Sequence, residues 1–240
     1  MYHQILESLR QYIDEEKAIV LPRFFKTGKG EYGEGDMFLG VTVPHIRQVA
    51  KQYVYVPFDV IEQLLASEWH ECRMCALLIL VAQYQKVSIV QRQALFDLYI
   101  QHTSCINNWD LVDLSAPNIV GRHLSCTDDR SLLYRLAESS MLWERRIAMV
   151  STLYFIRKGD LSDAFSLADK LVDSSHDLMQ KAVGWMLREM GKRDIRLLRI
   201  LLDKHAATMP RTMLRYAIEK MSAEERREWM SRKYITNSIL

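Results

Sequence analysis

The chain has 240 residues, enough for one large hydrophobic core or two small ones. Its apolar fraction of 49% and charged fraction of 26% are those of an ordinary globular protein. Because the net charge is only +2, bulk charge does not indicate a nucleic-acid ligand, and local clustering of cations would be needed for one.

The first residues predict neither a secretory signal nor a membrane anchor. "MYHQILESLRQYIDEE" lacks the basic start and the apolar stretch of a signal peptide. The longest apolar run, "CALLILVA" at residues 75–82, is too short to span a bilayer. We therefore expect a cytoplasmic protein that makes no contact with membranes.

A glycine-rich segment, residues 27–40, precedes the first long helical pattern. Five of the nine glycines of the chain lie in "GKGEYGEGDMFLG". The segment lacks the G-x-x-x-x-G-K-[ST] spacing of a phosphate-binding loop, and its two glutamates would repel phosphate. We interpret it as a loop before a helix that starts near Pro44.

From Pro44 onward the apolar residues recur every three or four positions, as in amphipathic helices. No segment shows the sustained alternation of a strand, and the connections between helical patterns are short. The sequence therefore predicts an all-α fold. Examples of the pattern are "ECRMCALLILVAQYQ", "RRIAMVSTLYFIRKG" and "KAVGWMLREMGK".

The cysteines and histidines do not predict a metal or redox site. Four cysteines in a chain of this length do not form a disulfide framework. Cys72 and Cys75 have C-x-x-C spacing but lie inside a helical pattern without a second pair, so we interpret them as buried thiols. The histidines show no H-E-x-x-H or zinc-ligand spacing, and we expect neither a metal ion nor another cofactor.

A 36-residue period runs through the helical part of the chain. Arg73, Trp109, Arg145 and Lys181 follow one another at this interval, each early in a helical pattern. The length is typical of HEAT-like repeats, in which each helix pair buries its apolar face only by stacking on its neighbours. We predict a HEAT-like helical-repeat solenoid, forming a single domain over residues 1–240, in which these four side chains share a concave basic face.

Cations and tryptophans cluster in the C-terminal half, as in "WERR" (143–146) and "QKAVGWMLREMGKR" (180–193). Cations neutralise phosphates, whereas flat rings such as those of Trp143 and Trp185 stack on bases or sugars. The clustering favours a nucleic-acid surface. That these charges form only a solvated face of a helix is the alternative, and composition does not decide between the two.

Trp109 and Asp113, in "INNWDLVDLSAP" (106–117), are the main candidates for chemistry. Asn108 can cap a helix there, and the four-residue spacing then puts the indole and the carboxylate on one face. An anion beside an aromatic ring stabilises an oxocarbenium-like sugar and can position water for glycosidic cleavage. The alternative is a core tryptophan beside an acid with a structural partner. We interpret Asp110 as a first-turn helix charge.

Four blocks of the chain, in this order, resemble those of the AlkD-like DNA alkylation repair proteins. The resemblance implies a HEAT-like α-solenoid that cradles duplex DNA. It also implies a monofunctional glycosylase that removes cationic N3- or N7-alkylated purines without drawing the base into a pocket. The blocks are "FFKTGKGEYGEGDMFLGVTVPHIRQVAK" (24–51), "INNWDLVDLSAPNIVG" (106–121), "WERRIAMVSTL" (143–153) and "KAVGWMLREMGK" (181–192).

The resemblance also implies roles for individual residues. The catalytic acid falls on Asp113, and the two tryptophans that face the deoxyribose fall on Trp109 and Trp185. A phosphate-holding arginine falls on Arg146 or Arg145; we assign Arg146 to the site and Arg145 to the supporting wall. The DNA-contacting aromatic of the N-terminal region is not assigned, with Phe25 and Tyr32 as candidates.

The sequence therefore predicts an alkylpurine DNA N-glycosylase, a hydrolase that acts as a monomer on double-stranded DNA containing alkylated bases. One alternative is a non-catalytic HEAT-repeat protein that binds branched or damaged DNA, and another is a protein-interaction scaffold. Besides Arg146, the predicted DNA-binding residues are Arg145, Lys181, Arg188, Arg73 and Trp143.

Overall fold

The structure is a computed structural model, and it describes residues 1–232. Within this range the chain is helical, and its only β-type pairing is an isolated bridge between Met37 and Trp69. This confirms the all-α prediction. The helices are α1 (Tyr2–Arg10), α2 (Glu15–Phe24), α3 (Val43–Gln52), α4 (Phe58–Leu65), α5 (His70–Lys86), α6 (Ile89–Gln101), α7 (Trp109–Ser115), α8 (Arg122–Leu124), α9 (Ser131–Ala137), α10 (Leu142–Lys158), α11 (Ser162–Leu171), α12 (Asp177–Gly191), α13 (Ile195–His205), α14 (Arg211–Ala217) and α15 (Ala223–Ser231).

Two compact units make up the chain, Met1–His123 and the part from Leu124 onward. The single domain over residues 1–240 stays a prediction, and its last residues, 233–240, lie outside the described part. No helix among residues 1–232 is both long enough and apolar enough to cross a bilayer.

Helix α5 forms the centre of the first unit and packs against α3, α4 and α7. Every side chain from His70 to Leu80 is buried, as expected for a helix surrounded by other elements. Cys72 and Cys75 lie on this stretch as free thiols, which confirms their interpretation as buried helix residues. Burial raises the pKa of the Cys72 thiol to about 11. The polar residues on the same buried stretch must find partners inside the unit.

In the second unit, helix α12 packs against α10, α11, α13 and α14. The approach of α14 depends on Gly184, because a β-carbon at this position would lie 2.5 Å from the carbonyl oxygen of Met213. Helix α10 ends at Gly159, whose φ of +88° is the left-handed conformation that favours glycine at a helix C-terminus. These two glycines therefore serve packing and helix termination.

Three helices of the chain begin with the same kind of side-chain cap. The fourth residue of α5, α10 and α12 is Arg73, Arg145 and Gln180, respectively. In each case one side-chain nitrogen donates to the carbonyl oxygens six and five residues earlier, fixing the preceding turn onto the helix. The accepting carbonyls are those of Ser67 and Glu68 (2.7 and 3.2 Å), Ser139 and Ser140 (2.6 and 2.9 Å), and Ser174 and Ser175 (3.0 and 3.1 Å).

This cap corrects the register that the 36-residue spacing suggested. Arg73 and Arg145 are equivalent, but the matching residue of α12 is Gln180 rather than Lys181. Trp109 is the first residue of α7, not the fourth. A difference of one residue rotates a side chain by about 100° around an α-helix, so Lys181 and Trp109 do not occupy the helix position of Arg73 and Arg145. The spacing of helices varies by a residue between repeats, which a fixed period cannot reproduce.

Candidate functional site

The candidate site is built on α7, whose start is fixed by Asn108. The side-chain oxygen of Asn108 accepts the backbone N–H of Trp109 at 2.9 Å, so the predicted helix cap is confirmed. At about 100° per residue, Trp109, Asp110 and Asp113 fall within one third of the helix circumference. All three are half-buried, whereas the opposite side of α7 is fully buried. The tryptophan and both acids therefore share the accessible face.

The indole of Trp109 is part of an aromatic cluster contributed by α2 and the glycine-rich loop. Its ring lies 5.7 Å from that of Phe25, at 26° between planes, and 6.2 Å from that of Phe24, edge to face. Phe25 stacks in turn on Phe38 at 5.0 Å. Such offset and edge contacts add to the free energy of apolar burial. Trp109 is therefore packed against other aromatic rings.

His70, the first residue of α5, is enclosed by the same cluster and is 2% exposed. Its ring lies 4.8 Å from that of Phe38 and 5.0 Å from that of Phe25. Its Nε2 lies 2.9 Å from Oδ2 of Asp110, and its Nδ1 lies 3.4 Å from Oδ2 of Asp36. Burial opposes the charged ring, but hydrogen bonds to both carboxylates prevail and raise the pKa of His70 to about 9. At neutral pH His70 is therefore an imidazolium that donates to two acids.

Asp36, within the glycine-rich loop, accepts or contacts four donors. Oδ1 accepts from Nη2 of Arg73 at 2.6 Å and from Nδ2 of Asn107 at 2.8 Å. Oδ2 lies 3.5 Å from Nδ2 of Asn108, besides its contact with His70. Burial opposes the charge of Asp36, yet these hydrogen bonds and the charge of Arg73 lower the pKa of its carboxyl. Two carboxylates and two cations thus balance inside the unit, in a network we call the Asp36–His70–Asp110 network.

Glu71, next to His70, holds the C-terminal end of the glycine-rich loop. Its carboxylate is 1% exposed and accepts the backbone N–H groups of Leu39, Gly40 and Val41 at 3.0, 2.8 and 3.2 Å. Gly40 has a φ of +83°, and a β-carbon there would lie 2.1 Å from the carbonyl oxygen of Asp14. The loop is therefore bound to α5 and to the start of α2 at one position.

A pocket of about 450 Å³ opens beside Trp109, where α2, α3, α5 and α7 meet the glycine-rich loop. This volume is in the range of small-ligand sites. Its apolar walls include Leu21, Phe24, Phe38, Ile46, Met74 and Leu114, and its polar groups are Lys17, Thr42, Arg47, His70, Glu71 and Asp110. Among residues 1–232, no three His, Cys, Asp or Glu side chains are arranged to hold a metal ion.

The N-terminal aromatics divide between the core and the surface. Phe25 is 7% exposed and belongs to the cluster, so its side chain does not face solvent. Tyr32 is half-buried, with Nζ of Lys26 at 6.0 Å from its ring centre. Phe24 is 61% exposed at the mouth of the pocket. Of these three rings, Phe24 is the most accessible, although the sequence offered Phe25 and Tyr32 as candidates.

The remaining predicted site residues other than Arg73 lie in the second unit, in two kinds of surroundings. Trp185 is half-buried on α12. On the same helix, Lys181 pairs with Asp177 at 2.7 Å, and Arg188 pairs with Glu219 of the neighbouring segment. Each of these side chains reaches the surface.

Trp143 and Arg146 on α10 are buried, in contrast to the residues on α12. Trp143 is 8% exposed and Arg146 is 4% exposed. Nη1 of Arg146 donates to the carbonyl oxygen of Leu178 at 2.5 Å, joining α10 to the start of α12. Arg145 and, in the first unit, Arg73 carry the capping contacts described above. The DNA contacts assigned to these four residues stay predictions.

Sequence reasoning missed the roles of Asp36 and His70 and understated that of Asp110. From the sequence, the spacing of the histidines indicates only that a metal site is not expected. Asp110 does bind its first helical turn, through the N–H of Leu111 at 2.8 Å, but it also binds His70. The sequence did contain a signal for these contacts, since "HECR" opens an otherwise apolar helix. Charged side chains that are buried there require partners elsewhere in the chain.

Comparison with known proteins shows the family of the chain. The model of the DNA alkylation repair enzyme family matches residues 5–221. A search of curated proteins gave no match.

Solved structures similar to the chain show the same helical-repeat fold. A protein described as a predicted DNA alkylation repair enzyme from Enterococcus faecalis has a TM-score of 0.69 and 17% identity, covering 88% of this chain and 97% of that one. AlkD2 from Streptococcus mutans has a TM-score of 0.54 and 16% identity, covering 87% and 99%. The smu.31 protein from Streptococcus mutans UA159 has a TM-score of 0.53 and 16% identity, covering 94% and 98%. With the family model matched over most of its length, the chain belongs to the DNA alkylation repair enzyme family.

Proposed function

We propose that the chain is a monofunctional alkylpurine DNA N-glycosylase. It hydrolyses the N-glycosidic bond of cationic N3- or N7-alkylated purines in duplex DNA, without drawing the base into a pocket. The observation that supports this proposal most directly is the shared accessible face of Trp109 and Asp113 on α7, in a chain of the DNA alkylation repair enzyme family.

Departure of the alkylated base requires little assistance from the protein. An alkylated purine carries a positive charge and leaves as a neutral molecule, so no general acid has to protonate it. The sugar becomes an oxocarbenium-like cation, which a carboxylate and an aromatic face stabilise. In this proposal Asp113 stabilises that cation and positions the attacking water. Trp109 and Trp185 face the deoxyribose.

The contacts of Asp110 argue against Asp110 as the catalytic acid. Asp110 uses one oxygen for the imidazolium of His70 and the other for the N–H of Leu111. Its charge is therefore balanced by a buried cation. Asp113 lies one turn further from the helix start on the same face as Trp109.

For DNA binding, we assign the predicted basic surface to Arg146, Arg145, Lys181, Arg188, Arg73 and Trp143. The accessibility of Lys181 and Arg188 supports their part in this surface, because phosphate contact needs a reachable cation. Arg146, Arg73 and Trp143 are 4%, 5% and 8% exposed, so their part is indirect, through the packing of the helices. The protein acts as a monomer in this proposal.

The test is release of 7-methylguanine from duplex DNA under single-turnover conditions. We expect Asp113→Asn to slow release on the order of 10²-fold or more, the usual effect of removing one electrostatic stabiliser of a transition state. Asp59→Asn, at an exposed position of α4, is the matched control and should release base at the wild-type rate. A folded Asp113→Asn variant as fast as the wild type would overturn the assignment.

Base release and DNA affinity, measured together, separate the alternative functions. DNA binding without base release by the wild-type protein would support a non-catalytic protein that binds branched or damaged DNA. An affinity for DNA that hardly changes with salt would support a protein-interaction scaffold, because contacts to several phosphates make affinity fall steeply with salt.

A further inference from the structure

We infer that Asp36 and His70 are positioning residues for the reaction proposed above: through Asp110 they fix the first turn of α7, and so the direction of Trp109 and Asp113. The inference rests on the proposed function for its kinetic part and on the geometry of the first unit for the rest. It gives a role to the glycine-rich loop and to the buried histidine, neither of which touches the reacting atoms in the proposed mechanism.

The hydrogen bonds link three segments that are distant in sequence. Asp36 lies in the glycine-rich loop, His70 starts α5, and Asp110 lies in the first turn of α7. Asp36 also reaches the residues just before α7 directly, through Nδ2 of Asn107 at 2.8 Å and Nδ2 of Asn108 at 3.5 Å. The start of α7 is therefore held on both sides, by its cap residues and by Asp110.

A second set of contacts joins His70 to the indole itself. The ring of His70 lies against Phe25 at 5.0 Å, and Phe25 lies against Trp109 at 5.7 Å. A change in the orientation of His70 would therefore act on Trp109 from two directions, through Asp110 in the helix and through Phe25 in the aromatic cluster. In a close-packed interior such displacements are transmitted rather than absorbed.

The bridge requires the protonated ring. A neutral imidazole has one N–H, so it can donate to Asp36 or to Asp110 but not to both. The imidazolium donates to both carboxylates, and its pKa of about 9 keeps this form dominant at neutral pH. Loss of the proton would leave one carboxylate facing a ring nitrogen without a hydrogen between them, a repulsive contact in buried surroundings.

The charges around His70 come from every element packed against it. Asp36 of the loop and Asp110 of α7 favour the proton, whereas Arg73 of α5 opposes it. Glu71 of α5, Lys17 of α2 and Arg47 of α3 line the same pocket as His70. Because the two carboxylates contact the ring directly, the form of the bridge depends on the proton of His70.

The kinetic test compares the wild-type protein with His70→Gln over a pH series. Glutamine carries both of its N–H donors on one nitrogen, whereas the imidazolium donates from two separate ring nitrogens. We therefore expect single-turnover base release to slow on the order of 10²-fold with DNA affinity unchanged, as for a small misplacement of reacting groups. Wild-type activity should fall as pH rises through about 9, and this decline should be absent in the variant. His102→Gln, a half-buried histidine outside the network, is the control and should keep the wild-type rate and profile.

The second test does not depend on catalysis. In protein labelled with 5-fluorotryptophan, the ¹⁹F signal of Trp109, assigned with Trp109→Phe, should shift in the wild type with the titration of His70. The shift should be lost in His70→Gln and in Asp110→Asn. Because the wild-type titration needs no network variant, it decides the question even where a variant does not fold.

The outcomes separate this inference from the proposed function. A wild-type protein that releases no base overturns the glycosylase proposal, while the ¹⁹F titration still tests the positioning of Trp109. Conversely, His70→Gln with the wild-type rate and pH profile overturns the positioning role and leaves the glycosylase proposal standing. A Trp109 signal that does not respond to the titration of His70 also overturns the positioning role.

Discussion

His70 and Asp110 lie 2.9 Å apart, nitrogen to oxygen, and this contact joins the start of α5 to the start of α7. The two residues are 40 positions apart in sequence, and both are polar groups in contact with or beside an aromatic cluster. The contact makes the accessible face of α7 depend on a buried cation. It also has consequences for stability that solution measurements can detect.

The free energy of unfolding should fall as pH rises from about 6.5 to about 9. Below the unfolded pKa of 6.5, His70 is protonated in both states and its contribution is fully present. Between the two pKa values only the folded state keeps the proton, so the contribution is lost as pH rises through the folded pKa. The shift corresponds to about 3 kcal/mol in order of magnitude.

Urea unfolding of the wild type and of His70→Gln, at steps between pH 6.5 and 9, measures this contribution. The difference between the two proteins is the relevant quantity, because other groups titrate equally in both. We expect the difference to shrink toward high pH. A difference that is constant over this range would mean that the folded-state pKa of His70 is not raised.

Two tryptophans of the second unit should respond differently to substitution. Trp143 is 8% exposed, so Trp143→Ala should lower the free energy of unfolding by about 3–5 kcal/mol, as for other buried aromatics. Trp185 is half-buried, so Trp185→Ala should cost less stability but should slow release of 7-methylguanine. Thermal unfolding and the base-release assay on both variants give the comparison. Equal stability losses with unchanged release by Trp185→Ala would remove Trp185 from the proposed site.

Substitution of two loop glycines that have the same backbone conformation should lower the free energy of unfolding to different extents. Gly40 and Gly35 have φ values of +83° and +85°. A β-carbon at Gly40 would meet the carbonyl oxygen of Asp14, whereas one at Gly35 has no atom within 4 Å. Gly40→Ala should therefore lower the free energy of unfolding by about 2–5 kcal/mol. Gly35→Ala should lower it by about 1–2 kcal/mol, from backbone strain alone. Similar losses for both in chemical denaturation would contradict the close approach of α2 to the loop.

The salt dependence of DNA binding should distinguish Lys181 from a matched surface lysine. Lys181 and Lys170 are similarly exposed, and each pairs with an acid at 2.7 Å. If Lys181 contacts one phosphate, Lys181→Gln should reduce the slope of log affinity against log salt by about 0.9, whereas Lys170→Gln should leave it unchanged. Fluorescence anisotropy with a duplex at several salt concentrations measures both slopes. The same slope for Lys181→Gln and the wild type would show that Lys181 does not contact a DNA phosphate.

The local features of this protein could be predicted from its sequence because they depend on residues close together in the chain. The three- and four-residue spacing of apolar side chains indicated helices, and the structure confirms an all-α fold. The cap of α7 by Asn108 and the buried thiols of Cys72 and Cys75 were predicted for the same reason. The candidate face of Trp109 and Asp113 also follows from helix geometry alone.

The register of the repeat was the first feature that the sequence did not determine. Gln180, rather than Lys181, takes the place of Arg73 and Arg145, because connections between helices differ in length by a residue. A one-residue shift leaves the helical pattern intact but turns a side chain to another side of the helix.

By itself, the sequence determined the helices, their caps and the residues on each helical face, since those interactions span at most a few positions. Only the tertiary structure decided that Asp36, His70 and Asp110 meet, over separations of 34 and 40 residues. A charged residue on an apolar helix shows that a partner must exist, because an unpaired buried charge is too costly. Which residue that partner is depends on how the helices pack, and packing is not encoded in the local spacing of the chain.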